Sequence, residues 1–197
     1  MKQSFLCGLA AKYNFSSPPH FSRASFTLIE LLITIGIISI LSLLVILILN
    51  PQELLKQTRD NTRLSDLATI NTALTLFQTD TGGSGSMGNG STTYVSIPDA
   101  SSTCANLGLP ALPPGYSYAC SSTSNYRNIN GTGWIPVNFT QLSFTSPFGV
   151  LPVDPINTTS SGNYYTYTPG GSWELTSIPE SSKYRQHTPI LPYPSQG

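Results

Sequence analysis

The chain has 197 residues, a length that fits one ordinary domain and leaves no room for a multidomain enzyme. Only 9% of residues are charged, and nine basic residues balance nine acidic ones, which excludes a highly charged disordered tail or a generic nucleic-acid module. Sixteen Gly, sixteen Pro and about a quarter Ser plus Thr indicate a loop-rich body.

Residues 1–25 carry Lys2, Lys12 and Arg23 and no acid. They lead into Phe26 to Leu49, FTLIELLITIGIISILSLLVILIL, whose single charge is Glu30. As a helix this run would span about 36 Å, enough to cross a bilayer. A cleaved secretory signal fits poorly, because its apolar core is about 7 to 15 residues long and ends at a small-residue site. Here the run is longer and ends in Asn50-Pro51. A conventional signal anchor passes the hydropathy test equally well. In either case the basic flank keeps the N-terminus in the cytoplasm and the large C-terminal part outside. Glu30 is the misfit. A carboxylate in hydrocarbon costs a few kcal/mol and marks a functional position with a partner, unless it lies near the end of the span and reaches the headgroups.

Arg23-Ala24-Ser25-Phe26-Thr27-Leu28-Ile29-Glu30 resembles the processing signal of type IV prepilins and of the pseudopilins of type II secretion. The shared features are a basic leader, a small residue, then Phe-Thr-Leu-Ile-Glu at the head of one apolar helix. The resemblance is close from residue 23 to about 80. It implies that a membrane-embedded prepilin peptidase cuts between Ser25 and Phe26 and methylates the new Phe26 amine. The family usually has Gly where this chain has Ser25. The resemblance also supplies Glu30 with a partner, the ammonium of Phe26 on a neighbouring subunit, and that pairing would set the axial register of an assembly.

After the membrane run, Pro51 predicts a kink or a fresh first turn. The helical pattern then resumes. Leu64, Leu67, Ile70, Leu74 and Phe77 recur every three or four residues as an apolar stripe, while Glu53, Lys56, Arg59, Asp60, Arg63 and Asp66 populate other faces. Lys56 with Asp60 and Arg63 with Asp66 have the spacing of local ion pairs on a solvated face; in a packed bundle the same charges would face neighbours. Gly82 and Gly83 predict the end of the helix near Thr79 to Gly83. From Phe26 to Thr79 the helix would be about 80 Å long, interrupted near Pro51.

Gly83-Ser84-Gly85-Ser86-Met87-Gly88 matches the glycine fingerprint of dinucleotide sites in form only, because that fingerprint must follow a strand and open a helix. The stretch reads instead as a mobile connection. The rest is rich in Thr, Tyr and Val with frequent Pro and Gly, the mark of short strands and turns. Tyr164 to Thr168 and Trp173 to Thr176 form the clearest hairpin, across Pro169-Gly170-Gly171-Ser172. Further strand candidates are Thr93 to Ile97, Tyr116 to Cys120 and Trp134 to Phe139. The predicted fold class is α+β: a long N-terminal helix, membrane-spanning in its first half and amphipathic in its second, with a small antiparallel sheet laid over the second half. Four segments follow: a leader over 1–25, an assembly helix over 26–49, its amphipathic continuation over 50–80 and a β-rich external head over 81–197, disordered from about 188.

Cys7 would leave with the leader, so Cys104 and Cys120 form an even pair in an oxidising compartment and predict a disulfide. Closing that loop would contribute about 3 kcal/mol in the chain-entropy model. Processing also removes His20, which leaves His187 in the Pro-rich tail and no triad, paired-His metal motif or phosphate loop. The chain reads as a non-enzyme without an organic cofactor. Asp154-Pro155-Ile156-Asn157 resembles the Asp-Pro turn that supplies calcium ligands in some pseudopilins, which would make Asp154 and Asn157 part of a calcium shell. The plainer reading is an Asx-type turn before the hairpin. Several Asn-x-Ser/Thr triplets, such as Asn138-Phe139-Thr140, are expected by chance in so Ser/Thr-rich a chain.

These features converge on a subunit of a type IV pilus-like or type II secretion-like filament, inserted in a bacterial cytoplasmic membrane. The resemblance implies a homo-oligomeric helical filament, with the prepilin peptidase, an assembly ATPase and a platform membrane protein as partners. Without the leader, six basic residues face nine acidic ones, a net charge of −3, so no direct nucleic-acid binding is expected. The alternative is a monomeric membrane-anchored module whose Tyr and Trp side chains bind a glycan or a protein.

Overall fold

The computed structural model describes residues 26–185. The leader, Ser25, His187 and the tail from 188 lie outside the described residues. The chain divides into two compact units between Ile48 and Leu49.

In the first unit, α1 (Leu28–Leu49) is apolar around its whole circumference. Leu28–Ile46 is long and apolar enough to cross a membrane, and none of it is buried inside the protein. In the second, α2 (Pro51–Asp80) opens a fresh turn. Asn50 adopts the left-handed conformation (φ 41°), its carbonyl accepts from the Glu53 and Leu54 N–H groups, and Pro51 stands at the first helical position. That position needs no N–H, so proline costs nothing there. The far end stops where glycines predict it. Gly82 (φ 58°) and Gly83 (φ 79°) take the left-handed turn, and the Gly83 N–H returns to the Gln78 carbonyl.

Four strands follow: β1 (Thr92–Val95), β2 (Ser117–Cys120), β3 (Thr166–Pro169) and β4 (Trp173–Thr176), arranged β2-β1-β3-β4. The class is α+β, but the sheet is mixed rather than antiparallel. β1 pairs antiparallel with β3, and β3 with β4, whereas β2 runs parallel to β1 with Thr92 opposite Ser117. A parallel neighbour requires a crossover of a dozen or more residues, and residues 96–116 are long enough to supply one. In the hairpin, Pro169 pairs with Trp173, so the turn is Gly170 to Ser172.

The core lies between α2 and one sheet face. Ile70, Ala73, Leu74 and Phe77 of α2 meet Tyr165 and Tyr167 together with Trp134, Ile135, Val137, Phe139 and Leu151. Three polar ties fix the sheet on the helix: the Tyr165 hydroxyl donates to Asp66 (2.9 Å), the Trp173 indole N–H to Asn71 (2.9 Å), and the Tyr167 hydroxyl to the Met87 carbonyl beyond the helix end (2.8 Å). A smaller cluster of Val95, Ile97 and Cys104 covers the other face of the sheet. Of the predicted stripe, Leu64 is an exception: it is 54% exposed, because the sheet covers α2 only from about Leu67 onward.

Two other expectations are corrected. Trp134 to Phe139 is buried but not a strand. Pro136 can donate no hydrogen bond to a ladder, and the segment makes only an isolated bridge between Asn130 and Asn138 before a 3-10 turn over Phe139–Gln141. Gly133, at its start, approaches so closely that a methyl group would press into the Asn128 carbonyl and Leu151. The glycine-rich stretch 83–88 is not a free linker: Gly85 lies against the Phe77 ring, Met87 packs on the core, and the Asn89 N–H donates to the Tyr94 hydroxyl (3.1 Å). It leads into β1 rather than into a helix.

Candidate processing and assembly site

The residues singled out at the N-terminus lie at the start of α1. Ser25 is outside the described residues; Phe26 is 77% exposed and precedes the helix. Thr27 is the helix cap. Its hydroxyl accepts from the Glu30 N–H (3.3 Å), and its carbonyl accepts from the Leu31 N–H (3.2 Å). Thr27-Leu28-Ile29-Glu30 therefore has the Thr-x-x-Glu spacing of a capping box, a signal the motif resemblance had hidden. Glu30 stands in the first turn, where the helix dipole favours a negative charge. The carboxylate thus begins an apolar helix whose described side chains are all exposed, with no cation beside it in the described chain.

Asp154 and Asn157, the two residues of the suggested calcium shell, are engaged with protein partners. Asp154 is 2% exposed, and Arg63 grips it with two parallel hydrogen bonds, Nε to Oδ2 (2.6 Å) and Nη2 to Oδ1 (2.9 Å). Its Oδ1 also accepts from the Ile156 N–H (2.9 Å). Asn157 binds Ser96 in both directions, accepting its hydroxyl (2.7 Å) and donating to its carbonyl (3.1 Å). The Arg63 guanidinium lies against the Asp154 carboxylate, and the Ile156 and Asn157 N–H groups donate to its Oδ1, the geometry of an Asx turn. Among the described residues no group of three or more His, Cys, Asp or Glu is placed to hold a metal.

Arg63 is also the centre of a buried network. It donates to Asp60 (2.6 Å) and Glu180 (3.1 Å), and Glu180 accepts from Arg59 as well. Asp60 and Arg63 are each 1% exposed, so neither occupies the solvated face the sequence suggested. The Arg63–Asp66 pair is replaced: Asp66 accepts from Tyr165 instead. Burial pushes the Asp66 carboxyl above its ordinary pKa. For Asp60 burial acts in the same direction, but the Ser181 hydroxyl, the Glu180 and Ser181 N–H groups and Arg63 together hold it below the carboxylate range. Nothing in the local sequence could signal these contacts, because Asp154 and Glu180 lie 91 and 117 residues from Arg63.

Cys104 and Cys120 form a disulfide with Cα atoms 5.3 Å apart. Cys104 sits at φ 58°, and its bond to Cys120 at the end of β2 joins the crossover to the edge strand it delivers.

A family model described as the prokaryotic N-terminal methylation motif matches residues 21–46. No curated protein and no solved structure matches the chain. The matched motif is a pilin-type structural one rather than an enzyme family, and it falls on Phe26, the Thr27 cap, Glu30 and the whole membrane-length part of α1. Over residues 21–46 the chain carries the prokaryotic N-terminal methylation motif, which is consistent with the type IV prepilin and pseudopilin family.

Proposed function

We propose that the chain is a structural subunit of a pilus-like or secretion-like filament. In this reading the prepilin peptidase cuts between Ser25 and Phe26 and methylates the Phe26 amine. Residues 26–49 hold the subunit in the cytoplasmic membrane with the head outside, until an assembly ATPase and a platform membrane protein move it into the filament. The single supporting observation is the lone carboxylate of Glu30 at the start of an apolar helix whose described side chains are all exposed. In a low-dielectric surrounding that charge is costly without a cation beside it, and cleavage creates one, the Phe26 ammonium of the next subunit. Neutralisation would be complete only at one axial offset, so Glu30 sets register.

Intact mass of the membrane-extracted protein tests the first step. The expected product lacks residues 1–25 and bears one methyl on Phe26. Uncleaved chain with co-purified carbohydrate would instead favour an anchored binding module. Glu30→Ala tests the second step: processing should persist while filament yield falls by at least tenfold, and ordered filaments at wild-type yield would sink the pairing.

A further inference from the structure

The last described segment, residues 178–185, lies against the first half of α2 and ends in the one-turn helix α3 (Ser182–Arg185). Among the described residues, the contacts that hold it there are mainly polar. None of its residues belongs to either hydrophobic cluster or packs against one, and Ile178 is 52% exposed. Its one fully buried side chain is Ser181.

The grip is polar and centres on Asp60. That carboxylate accepts from the Glu180 N–H (2.9 Å), the Ser181 N–H (2.8 Å) and the Ser181 hydroxyl (2.6 Å), besides Arg63. Beside it, Glu53 accepts from the Ser182 N–H (2.6 Å) and hydroxyl (2.7 Å), and the Tyr184 hydroxyl donates to Asn61 (2.6 Å). Farther back, Asn163 donates to the Ile178 carbonyl (3.0 Å).

We propose that residues 179–185 are a latch, a segment that opens from α2 as one unit while the sheet stays folded, with Asp60 as its catch. Segments with few buried apolar contacts open locally at less free energy than the whole fold. Here most of the closing contacts converge on the Asp60 and Glu53 carboxylates, so those contacts share one dependence. The charged groups facing the catch are Glu53, Lys56, Arg59 and Arg63 from α2, Asp154 from the turn before the hairpin, and Glu180 from the latch itself. Open, the latch would uncover Asp60 and Arg63 on a stretch of helix whose charges are otherwise satisfied within the subunit. The proposal does not depend on the filament reading.

Acid is the natural probe. Glu53, Asp60 and Glu180 are each held below their ordinary pKa. A lowered carboxylate pKa gives a closing contribution that is complete above about pH 5 and is lost as pH falls through the lowered values.

Hydrogen exchange of the detergent-solubilised full chain, with rates corrected for their intrinsic pH dependence, tests the device. Residues 178–185 are compared with residues 92–97 and 164–169 of the sheet. At pH 7, Asp60→Asn should speed exchange in 178–185 by about tenfold or more and leave the sheet unchanged. The wild type should show the same selective change on acidification toward about pH 3. Exchange of 178–185 in step with the sheet, or protection unmoved by both perturbations, overturns the latch. Should Asp60→Asn not fold, Glu53→Gln, at the rim, is expected to give a smaller but still selective increase, and no increase overturns the proposal equally.

Discussion

Replacing Arg63 by Met tests the buried network directly. Met preserves most of the side-chain stem and removes the guanidinium fork, so the packing loss is small and the electrostatic loss is large. The fork serves two carboxylates that are almost fully buried, Asp154 and Asp60, and also Glu180, which is partly exposed. Removing one partner of a buried pair costs about 3–5 kcal/mol, because the other charge stays behind without compensation. Asp60 keeps donors at Glu180 and Ser181, whereas Asp154 keeps only the N–H groups of Ile156 and Asn157. Most of the cost therefore falls on Asp154, and the total should reach about 5 kcal/mol. For a unit of this size that lowers Tm by roughly 15 °C. Thermal melts followed by Trp fluorescence report it, since Trp134 lies in the core beneath the sheet. Adding Asp154→Asn to Arg63→Met removes the stranded charge and keeps an acceptor for Ile156, so the double variant should regain about half the loss. A single variant that melts within about 2 °C of wild type, or a double variant less stable than the single, would refute the assignment.

Three further outcomes are expected. Gly133→Ala should destabilise the head by about 2 kcal/mol or more in urea unfolding, because its methyl meets the Asn128 backbone carbonyl rather than a side chain that can turn away. Reducing the Cys104–Cys120 bond should cost about 3 kcal/mol and raise exchange chiefly in β2 and the crossover; peptide mapping that finds both thiols alkylatable in exported protein would exclude the bond. Asp66→Asn should raise Tm at pH 7 and match wild type below about pH 4. The folded pKa of Asp66 is raised, so wild-type stability falls as pH climbs from the unfolded value to the folded one, a loss the amide avoids while still accepting from Tyr165.

Where a structural cause acts on neighbouring residues, it is readable in the sequence. The spacing of Ile70, Leu74 and Phe77 announces the buried face of α2, Pro51 announces a helix start, and Gly82 with Gly83 announces its end. Even the Asn-x-Ser/Thr triplets have a local cause: Asn89, Asn130 and Asn138 each accept both the N–H and the hydroxyl of the residue two positions on, so each is an Asx turn. The errors fall where the cause is remote. Asp60 and Arg63 look like solvated charges because a sequence window shows only their helical neighbours. Their burial depends on a turn and a C-terminal segment about a hundred residues away. Leu64 has the period of the core and lies in solvent for the converse reason, since what packs beside that half of α2 is the polar segment around Ser181.

The same distinction explains why the signal at the N-terminus is legible in a short stretch of sequence. A bilayer acts on a contiguous run of side chains, and a helix cap such as Thr27 reaches only three residues, so the information for anchoring α1 is confined to a short window. The matched motif, residues 21–46, is that window. The head is under no such restriction. Its stability rests on pairings such as Arg63 with Asp154, Tyr165 with Asp66 and Trp173 with Asn71, which any set of residues of suitable chemistry could replace at other positions. Changes in the head should therefore alter stability and surface without altering α1. A variant such as Arg63→Met that loosens the head is expected to leave the mass of the processed N-terminus unchanged, whereas a change at Phe26 or Glu30 should act on processing or assembly with little effect on Tm.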